Sequence, residues 1–531
     1  MTNPQSFSPV AAGTRIDALD VLRGFALLGI CIVNVEFFNR PVVESGLGMA
    51  QGLHGLDWLV AWVVAYFFSG KFWTIFTLLF GMGFALMLER ARQAGRSFLP
   101  VYLRRIAALL VFGLLHHVFL WSGDILISYA VGALLLLVAL FARGRWLLAA
   151  ILACMALALL PAPWHALATL SMPLGFAGLL ALYLRSTPER SMFPLAMIVP
   201  GCIILLAALV LLLGRGSGDA RLLIVAGAVL IGIGLLAQRY GGSAEARPWR
   251  AGVAIFVLTF GLLAAEGGTR YVAPAAGPLT TAAATNAEGT EVDDDTARRL
   301  RDRERVQRSR EERIVLTSGS YREAVAMRAG HLGERMRDEP GFAVVLTGVF
   351  LIGVWCVRSG IVADSGAHRP LLRRLAWIGL PLGIGLGLAS SLIATGRPVG
   401  VDDQGYDFAH GLLMLGSLPA SLGYMALVLL LLGHWPGLTR VLAPFGRMAL
   451  TNYLVQSLVL SCLFYSYGLG LWGMGRGGQT AVAVALCAAQ AAFSGWWLAR
   501  FQYGPAEWVW RMLTYLELPA WRTTRQQSPA P

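Results

Sequence analysis

His116 and Asp124 stand eight residues apart, separated by a turn containing Trp121 and Gly123, and Ile125 and Leu126 then open the next apolar run. A carboxylate brought against an imidazole fixes its tautomer and orientation, which equips it as a general base. A lone buried histidine is more often a hydrogen-bonded structural group, so spacing alone does not decide between the two. Lys71 adds a second signal. It is the single lysine beside forty-two arginines, and a compact ammonium of tunable pKa differs chemically from a guanidinium fork. With Asn34 at the end of the first apolar run, four segments would deliver amide, ammonium, imidazole and carboxylate to one layer, with His117 beside His116. Ionisable groups inside a lipid-buried segment cost about 2.5 to 3.5 kcal/mol each on insertion scales, so such groups are expected to pair inward or line a cavity. His410 with Asp407, and His54, are secondary candidates.

A second set lies at the opposite ends of the apolar runs. Asp20 and Arg23 share a helix face three residues apart and suit an ion pair. Arg447, Thr451, Asn452 and Gln456 open one run, and amides four apart usually join helices. Glu507 and Arg511 lie in a tail with Trp508 and Trp510, rings that suit a headgroup layer. The alternative for Asp20, Arg23, Arg447, Asn452, Gln456, Glu507 and Arg511 is a surface that binds an anionic donor.

The elements that position these groups are membrane helices. Of 531 residues 56% are apolar and 14% charged, and mean hydropathy is +0.63, whereas soluble chains carry roughly 25% charge. The six cysteines lie singly in apolar runs, without the spacing of a disulfide framework or metal site. The +13 net charge sits in short clusters between apolar runs, as orientation signals do. Stretches of about 20 apolar residues place fourteen spans at 18–36, 72–88, 103–121, 125–142, 146–160, 166–184, 193–213, 222–238, 252–265, 342–357, 372–393, 408–432, 448–469 and 480–498. The stretch 56–69 is too short and is expected flat on the surface. The expected fold is therefore all-α, a polytopic bundle of about fourteen spans with an interfacial helix and one long polar outer segment.

The predicted organisation is a cytoplasmic tail at 1–17, an N-terminal membrane bundle at 18–165, additional hairpins at 166–266, the outer segment at 267–340, a C-terminal bundle at 341–503 and an amphipathic cytoplasmic tail at 504–531. The outer segment has thirteen arginines and thirteen acids, and its centre reads as a solvated helix. Clustered arginines place both termini in the cytoplasm.

At these residues the chain resembles the YeiB-type family, the multi-pass bacterial membrane proteins gathered under domain of unknown function 418. The likeness is carried by Leu19, Asp20, Leu22, Arg23 and Gly24 with Gly29 and Asn34; by Lys71, Phe72, Leu79, Phe80 and Gly81; and by His116, Trp121, Gly123, Asp124, Ile125 and Leu126. It continues through Ser320, Tyr321, Arg322 and Arg328, the run Gly446 to Leu454 with Gln456, and Gly504, Pro505, Glu507, Trp508, Trp510 and Arg511. More remotely the family resembles transmembrane acyltransferases of the heparan-alpha-glucosaminide N-acetyltransferase kind. The remote likeness would place a catalytic histidine at His54, the nearer one at His116.

These resemblances imply an integral protein of the bacterial inner membrane that moves an acyl group from a cytoplasmic thioester, such as acyl-coenzyme A, to an outer-side acceptor. His116 would act as base or acyl carrier, Asp124 would orient it, and Lys71 with Asn34 would stabilise the oxyanion. The alternative is a transporter of a small solute or lipid precursor, since intramembrane charges also mark permeation routes. No bound cofactor or metal is expected. Expected partners are the bilayer, a small-molecule or glycan acceptor and a second copy of the chain, but not nucleic acid.

Overall fold

The computed structural model describes residues 17–46, 48–50, 52–157, 170–185, 192–213, 217–240, 243–272, 284–285, 291–292, 294–395, 405–432 and 434–522. The expected N-terminal tail lies outside the described residues except for Asp17, as do 523–531 of the C-terminal tail and much of 267–293.

Helices account for nearly all regular structure. In chain order they are α1 (Asp17–Asn34), α2 (Gly55–Val63), α3 (Lys71–Gln93), α4 (Leu99–Phe119), α5 (Leu126–Phe141), α6 (Gly144–Leu157), α7 (Ser171–Arg185), α8 (Phe193–Leu213), α9 (Ser217–Tyr240), α10 (Arg247–Val272), α11 (Asp294–Ser318), α12 (Tyr321–Arg358), α13 (Arg369–Arg374), α14 (Leu380–Thr395), α15 (Tyr406–Leu432), α16 (Pro436–Arg447), α17 (Ala449–Phe464), α18 (Arg476–Leu498) and α19 (Pro505–Tyr515).

Among the described residues ten helices are long and apolar enough to cross a membrane, so the chain is a multi-pass membrane protein. Four further apolar helices, α5, α6, α7 and α17, fall where spans are expected but have 16 residues or fewer. Sixteen residues rise about 24 Å, less than the roughly 30 Å of hydrocarbon. The expected fourteen spans thus divide into ten that meet the length and four that do not. The stretch expected along the membrane surface forms α2 and a π-helical turn, Val64–Phe68. Gly70, at φ +79°, then separates it from α3; only glycine takes that conformation readily.

The chain forms two compact units. One contains α1 to α4, the start of α5, residues 252–272 of α10, the end of α11 and all of α12 to α19. Within it α1 lies against α16, α3 against α12, and α14 against α15. The first contact is backbone against backbone: a Cβ on Gly446 would come within 1.9 Å of the Asp20 carbonyl oxygen. Helix α4 is tied at both ends. Trp510 Nε1 donates to the Arg105 carbonyl at one end, while the Tyr321 hydroxyl donates to the Phe119 carbonyl at the other.

The other unit holds the rest of α5, α6 to α9 and α11 up to Glu311. Its α8 and α9 pack as a hairpin, and Arg185 caps the end of α5 by donating to the Ala139 and Ala142 carbonyls, each at 2.6 Å.

Candidate active site

The turn between α4 and α5 folds Asp124 back onto His116. His116 is in the last turn of α4, where its carbonyl accepts from both the Leu120 and Trp121 amides at 2.9 Å. Asp124 Oδ2 accepts from the Ile127 amide at 2.8 Å, satisfying a donor that the start of α5 leaves open. Its other oxygen, Oδ1, is 2.8 Å from His116 Nδ1. Gly113 permits the approach: a Cβ there would be 2.7 Å from the Ile127 nitrogen and 3.1 Å from Asp124 Oδ2.

The other imidazole nitrogen, Nε2, is 2.8 Å from the Ser457 hydroxyl, midway along α17. An ionised carboxylate can only accept. The proton of a neutral His116 therefore sits on Nδ1 and donates to Asp124, leaving Nε2 to accept from Ser457 O–H. All three side chains are buried: His116 is 1% exposed, Asp124 2% and Ser457 2%. The Tyr453 ring packs on the imidazole at 4.9 Å, and Trp121 meets it edge-on at 6.3 Å. Hydroxyl, imidazole and carboxylate in this order can move a proton off the hydroxyl as it attacks an electrophile.

Ser457 is the residue that the sequence reading missed. Tyr453, Ser457 and Ser461 form their own stripe at helical spacing beside Asn452 and Gln456, so the pattern was present but pointed to no partner. Helix α12 adds a second polar group. Arg335 Nη2 donates to the Asp124 carbonyl at 3.0 Å and to Ser128 Oγ at 2.9 Å, and pairs with Glu339 at 2.6 Å. From α11, the buried Glu312 accepts from the Val43 amide at 3.2 Å and the Ser122 hydroxyl at 3.5 Å. Burial pushes its carboxyl above the usual range, against the lowering effect of these hydrogen bonds.

The expected convergence on one layer is partial. Lys71 is buried, but Nζ donates to the Tyr66 carbonyl at 2.7 Å, and the Lys71 carbonyl accepts from Ser421 on α15 at 2.8 Å. Its face of α3 is turned to α14 and α15; a Cβ on Gly387 of α14 would stand 3.6 Å from Nζ. Asn34 ends α1 half-buried. Among the described residues neither hydrogen-bonds to His116, Asp124 or Ser457. His54 is exposed at the start of α2. His410 stacks on Tyr406 at 5.6 Å, and Asp407 begins α15 beside them.

The groups at the opposite ends are largely tied into the scaffold. Arg23 donates to Asp20 at 2.7 Å. Asn452 Nδ2 donates to the Phe445 carbonyl and Ser494 hydroxyl, each at 3.0 Å. Gln456 donates to Gln490 Oε1 at 2.9 Å, and Gln490 donates to the Asn452 carbonyl at 3.0 Å. Glu507 caps α17, accepting from the Leu450 amide at 2.7 Å, the Thr451 amide at 3.1 Å and the Thr451 hydroxyl at 2.5 Å; burial still holds its carboxyl above the usual range. Arg447 is half-buried at the end of α16. The Arg511 guanidinium covers the Tyr503 ring, with its centre 4.2 Å from the centroid. Arg105 lies within electrostatic reach of both Arg511 and Arg23, and Trp510 lies under it at 4.0 Å. These three arginines make a basic group on α1, α4 and α19.

The fold and site define a helical multi-pass membrane protein with a buried serine–histidine–aspartate relay. Residues 356–517 match the family described as "Protein of unknown function (DUF418)". The chain is 27% identical over 522 residues to "Uncharacterized protein YxaH" of Bacillus subtilis (strain 168), covering 96% of this chain and 97% of that protein. It is 23% identical over 509 residues to "Uncharacterized protein YeiB" of Escherichia coli (strain K12), covering 93% and 95%. A shorter likeness, 39% over 129 residues, links it to an "Uncharacterized 39.9 kDa protein in amylase 3'region" of Bacillus acidopullulyticus, over 24% of this chain and 35% of that one. No solved structure matches. Over most of its length the chain is thus similar to YxaH and YeiB, and the DUF418 family matches its residues 356–517.

Proposed function

We propose that this protein is a membrane-bound acyltransferase in which Ser457 is the nucleophile, His116 its base and Asp124 the group that orients the base. The observation that carries this reading is the pair of 2.8 Å contacts made by the two imidazole nitrogens, one to a carboxylate and one to a hydroxyl. A hydrogen bond to one side of the ring suffices for packing; the two-sided arrangement sets the direction of proton transfer.

Ser457 Oγ attacks the carbonyl carbon of a thioester, its proton passes to His116 Nε2, and the thiolate departs with that proton as a thiol. An acceptor hydroxyl or amine then attacks the serine ester, gives its proton to Nε2, and Ser457 recovers it as the ester bond breaks. Asp124 stabilises the imidazolium in both halves. Arg23, Arg105 and Arg511 suit the phosphates of an acyl-coenzyme A donor. Arg105 precedes His116 by eleven residues on α4, about 16 Å of helix rise, so donor binding and chemistry would occur at different depths. This reading assigns the basic group to the cytoplasmic face of a bacterial inner membrane and the relay to the outer half. It gives Lys71 and Asn34 no part in oxyanion stabilisation.

The test is labelling with a fluorophosphonate, which reports an activated serine without knowledge of the substrate. The purified protein should be modified at Ser457, located by peptide mass spectrometry. The label should vanish in Ser457→Ala and His116→Ala and persist in Ser461→Ala. Folded wild-type protein that takes no label at Ser457, or takes it equally without His116, overturns the assignment.

A further inference from the structure

Two buried arginines in the same unit have opposite surroundings. Arg476 is 3% exposed and faces a carboxylate, with Nη2 3.4 Å from Glu36. Arg328, on the first half of α12, is 2% exposed and faces none among the described residues. Its Nε donates to the Ala324 carbonyl at 3.0 Å and its Nη1 to the Leu120 carbonyl. Glu312 of α11 is engaged by Val43 and Ser122. A guanidinium does not shed its proton in proteins, and a buried charge without a counter-charge is costly. Carbonyl dipoles satisfy two of its nitrogens and leave its charge uncompensated.

Its third nitrogen, Nη2, is buried without a hydrogen-bond partner, and so is the hydroxyl of Tyr467. The two stand close enough for the phenol to feel the guanidinium charge. The phenol oxygen lies within reach of accepting from the guanidinium; that still leaves the phenol proton and the guanidinium charge without an anionic oxygen among the described residues. The place also suits a substrate: Leu120, held by Arg328, is one helical turn beyond His116, whose carbonyl accepts the Leu120 amide. Tyr467 is half-buried and Tyr321 exposed; their rings meet at 5.2 Å, forming the outer wall of the position.

We propose that Arg328 and Tyr467 form an oxyanion-binding subsite that holds a phosphate or carboxylate group of the acceptor next to the relay. The role as acceptor subsite rests on the acyl-transfer reading, whereas anion binding by these residues does not require it.

The full-length protein in detergent is titrated with inorganic phosphate, sn-glycerol 3-phosphate and acetate, reading the thermal unfolding midpoint. A parallel arm counts phosphatidylglycerol retained on the protein by native mass spectrometry. Binding should saturate in the wild type and weaken about tenfold or more in Arg328→Gln and in Tyr467→Phe, the loss expected for one charge-assisted hydrogen bond. The exposed Arg322→Gln should bind as the wild type does. Response to the soluble anions identifies a free oxyanion ligand, and retention of the lipid alone identifies a headgroup; either supports the subsite if Arg328 and Tyr467 are needed. No binding in any arm, or equal binding in both variants, overturns it. Tyr467→Phe removes one oxygen, so it decides the matter even where Arg328→Gln does not fold. Ser457→Ala should bind the anions normally, and wild-type protein that binds them but takes no fluorophosphonate at Ser457 rejects the transfer reading alone.

Discussion

Helix α17 carries two polar layers on neighbouring faces, and they are built differently. The amide layer of Asn452, Gln456, Gln490 and Ser494 joins α17 to α18 by reciprocal hydrogen bonds among uncharged groups. The relay layer joins α17 to α4 and the turn before α5 through a titratable ring with a direction of proton movement. Around it, Arg335 Nε, Glu339 Oε2 and Arg328 Nη2 are buried without hydrogen-bond partners. A closed set of amides is an arrangement for joining helices. A directional set with donors and acceptors left over is an arrangement for handling something else.

Substitutions in the two layers should therefore separate chemistry from cohesion. The largest effect is expected at Asp124→Asn. The amide oxygen can still accept from Ile127, but the amide nitrogen facing Nδ1 turns the imidazole proton to Nε2, the wrong side for accepting from Ser457. Fluorophosphonate labelling should slow by about 10³ to 10⁴, the cost of a wrong tautomer in such relays, with the unfolding midpoint nearly unchanged. A labelling rate close to wild type would place the relay with the structural layer.

Next in size, Gln456→Leu should lower stability by about 1 to 3 kcal/mol, because Gln490 is left with an unsatisfied buried oxygen. The labelling rate should stay as in the wild type. The double variant Gln456→Leu with Gln490→Leu should recover part of that loss in a thermal or denaturant melt. Labelling that falls in parallel with stability would erase the distinction between the layers.

The smallest effect concerns Glu312. Its carboxyl sits above the ordinary value in the folded chain through burial, so the folded state holds its proton to higher pH than the unfolded state. The resulting stabilisation is full below the ordinary carboxylate pKa of about 4.3 and is lost as pH rises through the raised value. Hydrogen-exchange protection of residues 312–318 should fall across that window and become flat in Glu312→Gln. An unchanged slope in the variant would assign the dependence to another group.

The membrane class and the places of the helices were legible because lipid demands long apolar runs. Their exact lengths were not, since α5 and α17 end at polar turns set by tertiary contacts. His116 and Asp124 were legible because one short turn joins them. Ser457 was not: it is 341 residues from His116, and serine on an apolar helix ordinarily bonds its own backbone. Lys71 was singled out by rarity, which says nothing about which way a helix faces. Its environment on α14 and α15 follows from packing that periodicity along α3 leaves open.

Asp124 has one oxygen on the imidazole and the other on the first turn of α5. Deleting the side chain, as in Asp124→Ala, would remove the imidazole's partner and unfasten a helix start at once. Silent protein from that deletion would report two injuries as one. The same double attachment restrains the carboxyl group from swinging, so the imidazole meets a partner held in one place.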